Sequence, residues 1–284
     1  MEEARASHTA LRVAMRRAAH QLVDEPKVLD DPIALKILGP RALARLQGGE
    51  GTGDDRLSRG LRAFMAARSR YAEDELAQAL ARGVMQYVIL GAGLDTFAYR
   101  NPHAGGSLRV FEVDHPATQE WKRRQLDATE IAIPASVTFA PVDFERQTLA
   151  EGLRDAGFDR EKRAFFSWLG VTMYLTDGAI DATLGFVAST PAGGGIVFDY
   201  AVTRESLGLM ERMALDALAK RVEAAGEPFR TFFDPKTLAE RLKRIGFRSV
   251  EDLGMDQINE RYFKGRGDGL RVMGNIGRLA GATL

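Results

Sequence analysis

The 284-residue chain predicts an α/β fold built on a doubly wound, mostly parallel sheet, and three observations carry that expectation. In the stretch QYVILGAGLDTFAYR, the short apolar run Tyr87–Leu90 ends abruptly in Gly91-Ala92-Gly93. An apolar run of this length reads as a strand buried on both faces, as in a parallel sheet covered by helices. A second β-rich run, LRVFEVD, closes on Asp114, 23 positions after Gly91. From there to Tyr200, strand-like and helix-like segments alternate, as parallel strands joined by helical crossovers require.

Ahead of the first strand, residues 8–46 carry a helical period, with Leu11, Met15, Ala18 and Leu22 recurring at threes and fours. Asp30-Asp31-Pro32 reads as a helix start with proline in its first turn. Gln47–Asp55 (QGGEGTGDD) is a flexible loop, and a helix over about Leu57–Ala81 leads into the glycines. Strands are expected at Tyr87–Leu90, Arg109–Val113, Val137–Pro141, Ala164–Trp168 and Ile196–Tyr200, with helices between them that include Ala117–Thr129 and Asp177–Thr190. Beyond Tyr200 the alternation stops. Residues 203–225 read as a helical insert, and PKTLAERLKRI as a helix, Pro235–Ile245, stopped by Gly246. Two last strands, Phe247–Leu253 and Leu270–Ile276, separated by a polar loop, would close the sheet with an antiparallel edge hairpin. The expected organisation is a helical N-terminal cap over residues 1–82, then an α/β domain over 83–284 with an insert at about 203–233.

Composition narrows the class. Basic and acidic residues balance at 39 each, which points to neither nucleic acid nor an acidic membrane surface. The absence of cysteine excludes disulfides, thiolate metal sites and cysteine nucleophiles. No apolar run approaches the roughly 20 residues that span a bilayer, and the N-terminus lacks a signal-peptide core. The four histidines lie at 8, 20, 103 and 115 without metal-ligand spacing. The expectation is a cytoplasmic, metal-independent protein; oligomeric state is not legible.

The glycines carry the first chemical inference. Two of them one residue apart at a strand end let the backbone turn tightly and approach a ligand, because no Cβ stands in the way. Asp114 lies at the spacing from which a carboxylate can accept hydrogen bonds from both ribose hydroxyls, so a nucleotide-like cofactor is expected. NAD fits this spacing too, and with it an oxidoreductase, but position 96 is threonine where the dinucleotide fingerprint has its third glycine. Asp143, followed by Phe144 at the end of the third strand, can bond an adenine amino group while the ring packs on the base; a helix cap is the plain alternative. Phe165, Phe166 and Trp168 of the fourth strand are expected in the core, and Thr176 as the cap of the next helix.

Taken together, QYVILGAGLDTFAYR, FEVDHPATQEWKRRQL and WLGVTMYLT resemble the leucine carboxyl methyltransferase family, most closely its bacterial branch of S-adenosylmethionine-dependent O-methyltransferases. TALRVAMRRAAHQ, VLDDPIAL and FMAARSRYAEDEL extend the resemblance upstream, so that it covers most of residues 8–200. The resemblance implies a class I methyltransferase (Rossmann-like) fold with seven strands and a reversed last strand, and S-adenosyl-L-methionine as cofactor. It implies that Arg68 meets the carboxylate of the methionine moiety, and that Gly91, with Ala92 and Gly93, forms the glycine-loop contact. Asp114, next to His115, becomes the ribose acid, and Asp143 with Phe144 flanks the adenine. Arg17 aligns loosely with a basic residue near the same carboxylate. Leu169 stands where many relatives carry glutamate, which leaves the substrate class open and keeps a non-catalytic binding protein as an alternative.

Methyl transfer from a sulfonium is an in-line displacement, so the protein mainly has to hold the acceptor near attack geometry and exclude water. A carboxylate acceptor is ionised at pH 7 and needs no base. A hydroxyl acceptor would profit from one, for which Tyr174, Asp177 or a residue outside the motifs is the candidate. The expected acceptor is a small molecule, with carboxyl slightly ahead of hydroxyl. Residues 8–46 and 203–233 are expected to cover the site, with Met210, Met213, Leu215, Phe229, Phe232 and Phe233 as apolar walls.

Overall fold

The computed structural model describes residues 6–50, 52–103, 105–143, 146–224, 226 and 228–284. In chain order the elements are α1 (Ala6–Val23), α2 (Gly39–Gln47), α3 (Arg56–Ala81), β1 (Gln86–Leu90), α4 (Phe97–Arg100), β2 (Arg109–Asp114), α5 (Pro116–Ala128), β3 (Val137–Pro141) and α6 (Leu149–Asp155). The second half adds β4 (Ala164–Trp168), α7 (Asp177–Ala188), β5 (Gly195–Ala201), α8 (Leu209–Ala224), α9 (Pro235–Ile245), β6 (Ser249–Leu253), α10 (Met255–Tyr262) and β7 (Gly277–Thr283). The seven strands are ordered β3-β2-β1-β4-β5-β7-β6. The pairs β2/β3, β1/β4 and β4/β5 are parallel, whereas β7 runs antiparallel to both β5 and β6. The expected reversed last strand is present, and it is inserted between β5 and β6 rather than left at the edge.

The chain divides into two compact units. The first comprises Met1–Arg70, Gly91–Phe158 and Ile258–Met273. Its core joins Ala14, Met15, Ala18 and Ala19 of α1 to Ile37, Leu38, Ala42 and Leu46, and these to Leu94, Leu126 and Ile131. Small residues on α1 let that helix come close, and full burial of a single leucine such as Leu126 contributes about 1.5–3 kcal/mol. The buried stripe is thus Ala14-Met15-Ala18-Ala19, while Leu22, expected on it, is exposed.

The second unit comprises Tyr71–Leu90, Asp159–Gln257 and Gly274–Leu284. Every residue of β1, β4 and β5 is buried, which is why these strands read as continuous apolar runs. Phe165, Phe166 and Trp168 are core, as expected. Strand pairing aligns Leu90 with Trp168, so β1 and β4 end level with one another, while Trp168 pairs with Phe198 and β5 runs on to Ala201.

Three local expectations are corrected. The last strand is Gly277–Thr283, not Leu270–Ile276. The latter segment imitates a strand because Leu270 and Val272 are buried, but the amide of Asn259 closes both hydrogen bonds of Val272, at 2.8 and 3.0 Å, in place of a neighbouring strand. The polar segment between the last two strands contains α10, whose Ile258 is buried. Asp31-Pro32 starts no α-helix: residues 32–35 form turns, followed by a 3-10 turn, Lys36–Leu38, and the Asp31 side chain is bonded elsewhere.

Candidate functional site

β1 delivers the chain into Gly91, whose φ of 67° is a left-handed conformation that side chains resist, and Gly93 follows at 44°. The N–H groups of Gly91 and Ala92 both donate to the carbonyl of Val113, at 2.8 and 3.0 Å, which folds the loop against the end of β2. One residue further, the carboxylate of Asp114 accepts the N–H of Gly93 at 2.6 Å through one oxygen and that of His115 at 2.7 Å through the other. Burial pushes the Asp114 carboxyl above the usual carboxylate range, while these two N–H donors work the other way. The Asp114 carbonyl accepts the N–H of Val142 at 2.9 Å, which brings Asp143 to the same rim.

The first unit therefore brings together Gly91, Ala92, Gly93, Asp114, His115 and Asp143. His115 is exposed and caps α5, its Nδ1 accepting the N–H of Ala117 at 3.2 Å. Asp143 is half-buried, forms an ion pair with Arg146 at 3.4 Å and closes a turn through its carbonyl; the following helix, α6, is capped by Thr148 instead. Arg68 lies in the same unit on α3 and is 5% exposed. Phe144 lies outside the described residues.

Two buried polar clusters beside this loop are not foreseen from the sequence. In the first, Asp31 is fully buried and accepts the hydroxyl of Thr96 at 2.6 Å. Arg17 Nε and Arg100 Nε lie 2.9 and 3.2 Å from the same carboxylate, and Arg17 also donates to the carbonyl of Leu94. In the second, Glu112 of β2 is fully buried with Lys122 Nζ at 2.7 Å and the Tyr99 hydroxyl at 3.0 Å. Burial raises the Glu112 carboxyl while the Lys122 ammonium opposes the rise. The signal that could have found them is that Thr96 and Glu112 sit inside the two motifs, at positions to which the sequence reading gives no ligand role.

In the second unit, β4 ends at Trp168 and continues into half-buried Leu169. Gly170 turns at φ 77°, and its N–H donates to the buried carboxylate of Asp199 at 2.5 Å. Thr172 donates to the carbonyl of Asp199 at 2.6 Å, so β5 fixes the shape of the segment after β4. Tyr174 ends the 3-10 turn Thr172–Tyr174 and meets Phe229 in a tilted ring contact at 5.6 Å, and Phe229 in turn meets Phe232 at 6.0 Å. Of the residues expected as apolar walls, Leu215 and Phe233 are core, Phe229 and Phe232 are half-buried, and Met210 and Met213 are 74% and 60% exposed.

Residues 10–188 match the family model described as leucine carboxyl methyltransferase. The chain belongs to the leucine carboxyl methyltransferase family. One relative of this family member, YktD of Bacillus subtilis (strain 168), is described as a candidate S-adenosyl-L-methionine-dependent methyltransferase. It is 38% identical over 211 residues, which are 74% of this chain and 69% of YktD. A Mycobacterium avium (strain 104) protein of the same description is 34% identical over 202 residues, covering 68% of this chain and 65% of that relative, just under two thirds of its length. A solved structure of a DUF574 family protein from Streptomyces avermitilis superposes with a TM-score of 0.57 at 14% identity, covering 98% of this chain and 97% of that one; this likeness shows the fold. Among the described residues, no group of three or more His, Asp or Glu could hold a metal ion, and no helix is long and apolar enough to cross a membrane.

Proposed function

We propose that this protein is an S-adenosylmethionine-dependent O-methyltransferase acting on a small-molecule acceptor, with a carboxylate favoured over a hydroxyl. Family membership supplies the coarser statement: the chain is an S-adenosylmethionine-dependent methyltransferase. The observation that carries the cofactor is the loop from Gly91 to Gly93, its two glycines in left-handed conformations, against an Asp114 carboxylate at the adjacent strand end. That pairing fits a ribose beside a close backbone approach. In this reading residues 1–82 are the cap, 83–284 the catalytic domain, and Asp114 accepts the ribose hydroxyls. Arg68 forms two parallel hydrogen bonds with the methionine carboxylate, and Asp143 meets the adenine amino group.

S-Adenosylmethionine, when bound, supplies a methyl group on a positively charged sulfur. The chain's own task is to orient the acceptor and keep water away. A carboxylate needs no proton removed at pH 7, which suits a chain in which His20 and His115 are otherwise engaged. His20 is fully buried against Asp24, with Nδ1 at 3.0 Å from that carboxylate, and His115 caps a helix. The nicotinamide alternative loses its ground, because Thr96, the residue in the third glycine's place, is used to bond Asp31.

Arg68→Lys is expected to weaken S-adenosylhomocysteine binding by about tenfold or more while leaving methylthioadenosine, which has no methionine carboxylate, within about twofold. Titration calorimetry with both ligands checks this, and equal losses would place Arg68 outside the carboxylate site. The acceptor is tested with methyl-tritiated S-adenosylmethionine and a panel of carboxylic acids, phenols and alcohols. Alkali releases a methyl ester as volatile methanol and leaves a methyl ether intact. Volatile label supports the carboxyl acceptor, and alkali-stable label assigns a hydroxyl. Tight cofactor binding with no transfer across the panel would favour a binding protein.

A further inference from the structure

The glycine loop is anchored from two directions. Its first half, Gly91 to Gly93, is bonded to Val113 and Asp114 at the end of β2. Its second half is bonded to residues from the start of the chain: the Leu94 carbonyl accepts from Arg17, and the Thr96 hydroxyl donates to Asp31. Thr96 Oγ1 also accepts from Arg100 Nε at 3.5 Å, and Arg100 pairs with Asp31. Asp31 is thus the point where α1, the loop and α4 meet, and its carboxylate is fully buried between two guanidinium groups. The contact is close, since a Cβ built on Gly93 would lie 3.2 Å from Ala10 Cβ of α1.

We propose that Asp31 and Thr96 are positioning residues for the cofactor. The buried Asp31–Thr96 bond and the Arg17–Leu94 bond lock Gly91–Thr96 in its binding shape, and so couple docking of the N-terminal segment to cofactor affinity. The inference rests on the cofactor assignment made above. A loop shaped by the N-terminal segment binds ligand better when that segment is docked, and by reciprocity the bound ligand holds the segment down. Hydrogen bonds to a charged partner are strong enough for this, and a buried carboxylate cannot lose its partners without consequence. Neither residue needs to touch the cofactor.

The test compares Thr96→Val, which keeps the shape and removes the hydroxyl, with Thr96→Ser, which retains it. Thr96→Val should weaken S-adenosylhomocysteine binding roughly tenfold and lower the melting temperature by a few degrees, because Asp31 loses a buried donor, and Thr96→Ser should stay within about twofold of the unaltered protein. Hydrogen exchange supplies the readout that a merely structural role would not move. In the unaltered protein and in Thr96→Ser, ligand should protect amides in 14–31 together with those in 91–115. In Thr96→Val, protection should contract to 91–115. Asp31→Asn, which removes the charge opposite two guanidiniums, should reproduce the contraction with a larger fall in melting temperature. Unaltered affinity and protection in Thr96→Val, or equal losses in Thr96→Ser, would overturn the proposal. If the unaltered protein fails to bind S-adenosylhomocysteine, the cofactor assignment fails instead. The lock is then judged without ligand: faster exchange at amides 93–97 in Thr96→Val sustains it, and unchanged exchange refutes it.

Discussion

Gly93→Val should reduce S-adenosylhomocysteine affinity by about a hundredfold or more while leaving a folded protein. Gly93 has a φ of 44°, which a β-branched residue resists, and holding a side chain in such a conformation costs about 1–3 kcal/mol. The new Cβ would also press on Ala10 Cβ at 3.2 Å. The backbone can relieve both strains only by rotating the peptide, which pulls the Gly93 N–H away from Asp114, now 2.6 Å off. A bond to a charged acceptor contributes roughly 1.5–3 kcal/mol, and each 1.4 kcal/mol is a tenfold change in binding. Calorimetric titration with a parallel melting curve measures the outcome. Ordinary affinity in the valine variant would make this loop a plain turn.

That loop is legible in the sequence because its information is local. The strand is apolar on both faces, the glycines follow at once, and the acid comes at the spacing of one βαβ step. α9 is legible to the residue for the same reason: Asp234 caps it, Pro235 opens it, and Gly246 ends it at φ 130°. β7 is not, because a strand wedged between two others is written here in small residues. A side chain at Gly281 would collide with the Tyr71 hydroxyl, so the sequence GRLAGAT shows little of the apolar pattern by which strands are recognised. Asp31 misleads for a related reason. Its partners Arg17, Thr96 and Arg100 come from separate segments, Thr96 being 65 positions away, and no local period announces such a meeting. Together with Pro32, Asp31 imitates a helix start, and only burial shows that its carboxylate turns inward.

Asp114→Ala is expected to weaken S-adenosylmethionine binding by about 1.5–3 kcal/mol, or roughly 10–150-fold, with the fold retained because the residue ends its strand. Truncation removes the proposed acceptor of the ribose hydroxyls and, in the same step, the acceptor of the Gly93 and His115 N–H groups. Asp114→Asn should rescue little: one amide oxygen can keep Gly93, but the NH2 group then faces the N–H of His115, donor against donor. The charge gives the assignment a second signature. Burial raises the Asp114 carboxyl, so acid neutralises it earlier than an ordinary aspartate, and a neutral carboxyl binds ribose hydroxyls less well. Cofactor affinity should therefore fall as pH drops through that raised value, and the fall should vanish in Asp114→Ala. Folding responds with the opposite sign. Between the ordinary and the raised value the unfolded chain ionises first, so this residue's contribution to stability declines as pH rises. A merely structural carboxylate would show the second dependence without the first. An unchanged dissociation constant together with a normal melting curve in Asp114→Ala would remove Asp114 from the ribose site.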